Sequence, residues 1–304
     1  MHYPMSDLKS KICNPKSAFP RPGLTRLELV VLLVIVLLVA GMLVSYLVRL
    51  REDSSQKACA HNLRRIGDAI LGFHEEKRFL PPARIAPEYA TWAVAIAARL
   101  QKDSGLEEWD LAKRYADQSA RARAAVLTPY FCPARPRTLW ESTAREGPDF
   151  DQWPGALGDY ACASGDGDPQ RPWTGPLANG ALILGEVLEE KNGFILRWRG
   201  RTSLESLVRG QSYTLLIGEK HVPANKLGDA AAGDGSLYNG SLPASSARIG
   251  GPGHGLAPSS LAPFNANFGS AHLGICQFLH ADGSVRAYAD SMPEDLLGKL
   301  IRRE

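Results

Sequence analysis

The feature that most constrains this chain is a run of twenty residues without a single charge, Leu29 to Val48. Twenty apolar residues at ~1.5 Å rise each span a bilayer's hydrocarbon core of ~30 Å, so the run predicts a transmembrane helix at 29–48. A secretory signal would carry a shorter apolar region, ~7–15 residues, and then a small-residue cleavage site, which Val44-Ser45-Tyr46 does not supply. Before the run lies "MHYPMSDLKSKICNPKSAFPRPG", with four prolines and Lys9, Lys11, Lys16 and Arg21 against the single Asp7. Such a stretch lacks the apolar content to fold and reads as a leader, residues 1–23. It ends at Gly23, which Leu24, Thr25, Arg26, Leu27 and Glu28 separate from the apolar run.

This order resembles the type III signal of type IV pilins and of the pseudopilins of type II secretion. The resemblance implies cleavage after Gly23 by a prepilin peptidase and methylation of the new N-terminus, Leu24. It also implies an assembly role for Glu28, whose carboxylate would pair with the N-terminal amine of a neighbouring subunit. An isolated charge in lipid is expensive and needs a partner. The alternative is that Glu28 lies at headgroup depth, where a negative charge at a helix N-terminus is favourable by itself. Basic residues flank the run on both sides, Arg26 before it and Arg49 and Arg51 after it among others, so the positive-inside rule does not orient it. A cytoplasmic N-terminus follows from the resemblance, because the peptidase works on that side. The expected location is therefore the inner (cytoplasmic) membrane, single-pass, with the C-terminal domain extracytoplasmic or carried into surface or periplasmic filaments.

The likeness extends past the membrane. Cys59, Asn62-Leu63, Ile66-Gly67, His74 and Pro81-Pro82 follow one another with the spacing found in a large pilin-like family of unknown function abundant in planctomycetes. "YFCPARP" (130–136), "GDYACASG" (158–165), "YTLLIGE" (213–219) and "FGSAHLGICQFLHADGSVR" (268–286) continue the match. The last contains His272, nine residues, then Asp282-Gly283, the H-x(9)-D-G signature of that family. The chain departs from the family at Arg26, where an apolar residue is usual, at Ser45, where proline is common, and at His280, where an aromatic is common.

The expected fold is α+β and pilin-like: an N-terminal helix over 24–78 packed on an antiparallel β-sheet domain, 79–304. Cys59, Leu63, Ile66, Ile70 and Phe73 are spaced four, three, four and three apart, which draws one apolar stripe on a helix. "TWAVAIAARL" and 107–127 have helical periodicity, and 181–188, 193–200 and 212–219 read as strands. The Gly, Ala, Ser and Pro-rich stretch 222–269 reads as a long loop, either a surface excursion or partly disordered. Asp282-Gly283 between strand-like runs has the composition of a two-residue type I′ turn, which would put Cys276, Phe278, His280, Val285, Ala287 and Ala289 on one core face. Ser291 and Glu294 have the spacing of a capping box for a final helix.

Chemistry-bearing motifs are sparse. There is no Walker loop, no G-x-S-x-G and no H-E-x-x-H, so no enzyme and no cofactor is expected, and no metal centre. His272, His280 and Asp282 as zinc ligands are outweighed by a reading of strand-end hydrogen bonds and a turn aspartate. Asp166 and Asp168 in "SGDGDPQ" are weak calcium candidates without the later glutamate of an EF-hand loop. The net charge of +3 resides in the leader, so nothing suggests nucleic acid, which would demand a basic patch. Cys13 would leave with the leader; Cys59–Cys132 and Cys162–Cys276 are the expected disulfides, with four buried thiols as the alternative. The favoured function is a structural pilin-like or pseudopilin-like subunit whose partners are prepilin peptidase, other pilin-like subunits and the membrane. The alternative is a membrane-tethered ligand-binding module or enzyme.

Overall fold

The computed structural model describes residues 25–101, 105–143 and 152–304. The leader 1–23, with Cys13 and Gly23, and also Leu24, lie outside the described residues. Two compact units divide at Leu50/Arg51. Helix α1 (Arg26–Lys77) supplies all the described residues of the first unit except Thr25, and its residues from Arg51 belong to the second. In the first unit the helix starts with a capping box: Thr25 Oγ1 accepts from Glu28 N at 3.2 Å, and the Glu28 carboxylate accepts from Thr25 N at 2.8 Å. That satisfies orphan donors of the first turn reciprocally. The apolar window of α1 is wholly unburied and is long and apolar enough to cross a membrane.

The second unit is built on a five-stranded sheet in the order β5-β1-β4-β6-β7, from β1 (Tyr160–Gly165), β4 (Leu215–Glu219), β5 (Ala247–Ile249), β6 (Ile275–His280) and β7 (Val285–Ala289). The pairs are antiparallel except β1 with β5, which is parallel. The sheet is therefore mixed, and the class is α+β as expected. Period-two alternation sends Tyr160, Cys162 and Leu279 into one core and Ala161, Ala163, Cys276 and Phe278 into another. The first core receives the α1 stripe, since Cys59, Leu63, Ile66, Ile70 and Phe73 are all buried. Gly67 allows the close approach: a Cβ there would stand 2.8 Å from Leu279 Cδ1. Through this burial the helix from Cys59 to His74 packs as part of the sheet unit. The second core is closed by α5 (Glu294–Ile301) through Leu297, Leu300 and Ile301.

Several expectations are corrected. Residues 107–127 form no long helix; Trp109 and Tyr115 are buried, and the stretch holds just a 3-10 turn at Tyr115–Asp117 and the one-turn α3 (Ala120–Arg123), after α2 (Trp92–Leu100). The Gln118 side chain binds the backbone of Asp110 and Lys113, so local side-chain bonding competes with a helix. The 222–269 stretch is no surface excursion. It carries α4 (Pro243–Ser246) and β5, and Asp234, Leu237, Tyr238 and Arg248 within it are fully buried. Pro293, not Ser291, caps α5; the Glu294 carboxylate accepts instead from Gly253 N at 2.8 Å, and Leu296 is exposed.

The two hairpins differ in turn type. In β2 (Glu186–Lys191) and β3 (Phe194–Arg199), Lys191 faces Phe194 across Asn192 and Gly193, whose φ angles are 54° and 78°, the type I′ geometry. At the C-terminal hairpin, Leu279 pairs with Val285 and Gly283 N donates to His280 O at 3.0 Å, with Gly283 at φ 81°. That is a three-residue loop with glycine in the left-handed position. The one-residue difference moves Val285 to the Leu279 side, while Tyr288 joins Phe278 in the second core. Val285, Ala287 and Ala289 therefore do not share the face of Cys276, Phe278 and His280.

His280 is fully buried, with Nε2 3.0 Å from Tyr288 Oη. Burial and then Arg286 push its pKa down to about 4. The folded chain thus holds it neutral, and the stability this provides is complete above the unfolded value of ~6.5 and is lost as pH falls through about 4. His280→Phe should remove acid sensitivity amounting to no more than about 3 kcal/mol in that window. Urea midpoints at pH 7 and pH 4.5 check it. Equal losses on acidification in both chains would refute the assignment.

Candidate functional site

Four chemically active side chains converge where α1 meets the sheet. Cys59 comes from the buried stripe of α1. Cys132 comes from the Phe131-Cys132-Pro133 turn, which the helix grips through Asn62 Nδ2 donating to Phe131 O at 2.9 Å. Glu219 ends β4, directly across from Tyr160 of β1. His272 sits in the turn before β6, its backbone N–H donating to Ser270 Oγ at 3.0 Å. All four are buried, and their ligand atoms lie within 4.8 Å of one another.

The distances are specific. Both cysteines are free thiols, and their sulfurs are 2.7 Å apart. His272 Nε2 lies 3.6 Å from Cys132 Sγ and 3.5 Å from Glu219 Oε1, and Cys132 Sγ is 3.6 Å from Glu219 Oε1. The other ring nitrogen, Nδ1, meets Glu52 Oε1 at 2.9 Å. Gln56, one turn along α1, donates to the same Glu52 oxygen at 3.0 Å. Glu219 Oε2 accepts from Gln277 N at 2.8 Å. Burial opposes a charge on His272, but Cys132, Glu219 and Glu52 outweigh it and hold the imidazole up at about 9. His272 forms an ion pair with the Glu52 and Glu219 carboxylates, and the contact with Cys59, together with burial, pushes the Cys132 thiol far up.

A second buried network adjoins the first through Asp159, whose Oδ2 accepts from Cys132 N at 2.8 Å. Arg137 bonds Asp159 Oδ1 at 2.5 Å and grips both oxygens of Asp234, at 2.7 and 2.9 Å. Lys220 Nζ lies 3.1 Å from Asp234 Oδ1, with both side chains fully buried. Lys220 and Arg137 overcome burial and hold the Asp234 carboxyl far below the usual range.

A family model described as "Protein of unknown function (DUF1559)" matches residues 49–295. The chain belongs to this family. No curated protein and no solved structure matches it. Within this DUF1559 chain the matched region contains every residue of both networks. The H-x(9)-D-G spacing acquires a physical meaning here: the nine residues are a two-residue turn, the six of β6, and Ala281. His272 enters the cluster at one end of the strand. At the other end Asp282 Oδ1 accepts from Ser284 N and Oγ at 2.9 and 2.6 Å, and Gly283 turns the hairpin.

The structure separates His272 from His280 and Asp282, which sit at opposite ends of β6. Cys162 and Cys276 are not brought together either. They lie on β1 and β6, with β4 between them, and face different cores. Asp166 and Asp168 spend oxygens on turn and neighbour contacts: Asp166 Oδ1 accepts from Asp168 N and Asn179 Nδ2, Asp168 Oδ1 from Gln170 N, and Asp166 Oδ2 faces Arg302 Nε at 3.4 Å. Sequence reasoning missed Glu52, Asp159, Lys220, Glu219 and Asp234 as site residues. Glu219 and Asp159 lay inside motifs read for their strand character, and a carboxylate at a strand end carries no spacing signal of its own.

Proposed function

We propose that this chain is a structural pilin-like subunit, cleaved after Gly23, methylated at Leu24 and assembled through its N-terminal helix into a pilus or a type II secretion-like pseudopilus. It is not an enzyme in this reading; its partners are prepilin peptidase, other pilin-like subunits and the membrane, with the C-terminal unit outside the cytoplasm. The observation that carries the reading is the unburied apolar stretch of α1 led by Glu28. The match to the family over residues 49–295 is consistent with it. The Thr25–Glu28 capping box gives the carboxylate a local structural use as well, so the two uses have to be separated by experiment.

Intact-mass measurement of the membrane form is expected to give a chain beginning at methylated Leu24. A wild-type species retaining Met1 to Gly23 would remove the reading's main support. Gly23→Leu should leave the precursor. Glu28→Ala should still be cut yet be depleted at least tenfold in sheared filaments, whereas Thr25→Ala, which breaks only the cap, should assemble normally. Equal depletion in both variants would assign Glu28 to helix capping alone.

A further inference from the structure

The convergence of two thiols, an imidazole and a carboxylate has a use beyond packing. We propose that, with Cys59 and Cys132 reduced, the cluster of Cys59, Cys132, Glu219 and His272 binds one zinc-class divalent cation. Zinc prefers four tetrahedral ligands at ~2.3 Å to sulfur, ~2.0–2.1 Å to nitrogen and ~2.0–2.2 Å to oxygen. Those radii place unlike ligands on one ion roughly 3.4–3.6 Å apart. His272 Nε2, Cys132 Sγ and Glu219 Oε1 are separated by 3.6, 3.5 and 3.6 Å, so three donors already outline one face of such a tetrahedron. Two thiolates on one zinc stand roughly 3.7 Å apart, and the Cys59 and Cys132 sulfurs are at 2.7 Å. Binding therefore requires the Cys59 sulfur to retreat by about 1 Å, a movement about its own side-chain torsion.

The surroundings supply the supports that metal ligands ordinarily have. Glu52 holds His272 by Nδ1 and leaves Nε2 for the cluster, the carboxylate–histidine arrangement that fixes ligand orientation in metal sites. The Gln277 N–H occupies Glu219 Oε2 and leaves Oε1 for the cluster. The buried hydroxyl of Tyr160 lies beside Cys59, Cys132 and Glu219, a donor in place for a bound thiolate. Two sulfurs and a nitrogen select a thiophilic ion over calcium or magnesium. Binding displaces the two thiol protons and the Nε2 proton to solvent. Oxidation competes with it: a disulfide oxidant would take two electrons and two protons from the same sulfurs and close an S–S bond, and the two states exclude each other.

The test uses the full chain in detergent, reduced and kept anaerobic, titrated with cobalt(II) and then with zinc(II). One equivalent of cobalt should give thiolate charge-transfer absorption and tetrahedral visible bands, both removed by zinc. X-ray absorption on the zinc form should give a first shell of two sulfurs and two nitrogens or oxygens. His272→Ala and Glu219→Gln should weaken binding at least tenfold, while Cys162→Ser and Cys276→Ser should leave it unchanged. A reduced, folded wild-type chain without thiolate–cobalt absorption overturns the proposal, as does a sulfur-free zinc shell, which would mean an adventitious ion only. Because the wild-type chain carries both of these outcomes, a variant that fails to fold does not decide the matter.

Discussion

Asp234→Ala should destabilise the 51–304 unit by roughly 3–5 kcal/mol, because it strips Arg137 and Lys220 of their shared buried partner: Arg137 is left with Asp159 as its counter-charge, and Lys220, which burial already brings down to about 7 with Asp234 in place, has to give up its proton. Domains of this kind carry about 5–15 kcal/mol in all, so the variant should be largely unfolded or degraded. The expectation rests on the completeness of the burial: Asp234 and Lys220 are fully buried and the Arg137 side chain is 3 % exposed. An exposed pair of the same geometry would contribute about 0–1 kcal/mol. Asp234 also accepts from Gly228 N at 2.8 Å, so its loss frees a backbone donor as well. The double variant Asp234→Ala/Lys220→Met also removes the buried amine that has lost its carboxylate and should recover part of the loss. Urea denaturation of the detergent-solubilised chain reads both. A change below about 1 kcal/mol for the single variant would mean that water reaches the network.

That network shows why the fold was more legible than the site. The transmembrane run announces itself by unbroken apolar length, the α1 stripe by its helical period, and β3 and β4 by β-branched, leucine and aromatic residues bounded by glycines, all signals carried by neighbours along one element. Buried ion pairs between residues 137, 159, 220 and 234 have no such signal, since each partner arrives from a different segment. The 222–269 stretch departs from expectation for a related reason: its glycines, alanines and serines look like solvent-exposed loop, yet small residues are what allow close approach, as at Gly233, where a Cβ would stand 2.8 Å from the buried Arg248 guanidinium. The hairpin error is instructive in a different way. Asn192-Gly193 and Asp282-Gly283 both satisfy the composition of a two-residue turn, but only the former adopts it. The C-terminal pair is set by the pairing of β6 with β7, where Leu279 and Val285 share one core and Phe278 and Tyr288 the other, so tertiary packing chose the register.

In the chain recovered from an oxidising compartment, Cys59 and Cys132 should be joined as a disulfide, and reduction should lower stability by roughly 4 kcal/mol. The closed loop is about seventy residues long, and the chain-entropy relation gives about that figure for such a loop, less any strain in the native state. The strain should be small. Asn62 already fixes the Phe131 carbonyl against α1, and Asp159 fixes the Cys132 N–H, so the turn is held in place before any bond forms. Disulfides persist outside the cytoplasm, which ties this outcome to the proposed orientation of the chain. Peptide mapping under non-reducing conditions, after alkylation in denaturant, should yield one crosslinked peptide pair containing residues 59 and 132. Cys162 and Cys276 should both be alkylated, because the sheet places them in different cores with β4 between their strands. Recovery of alkylated Cys59 and Cys132 from the oxidised chain would sink the prediction. Cys59→Ser compared with the reduced wild type then separates the loop-closure contribution from packing of the buried sulfur. If the bond acts on the unfolded chain, the two should be equally destabilised; a markedly less stable Cys59→Ser would trace the difference to packing of the buried sulfur.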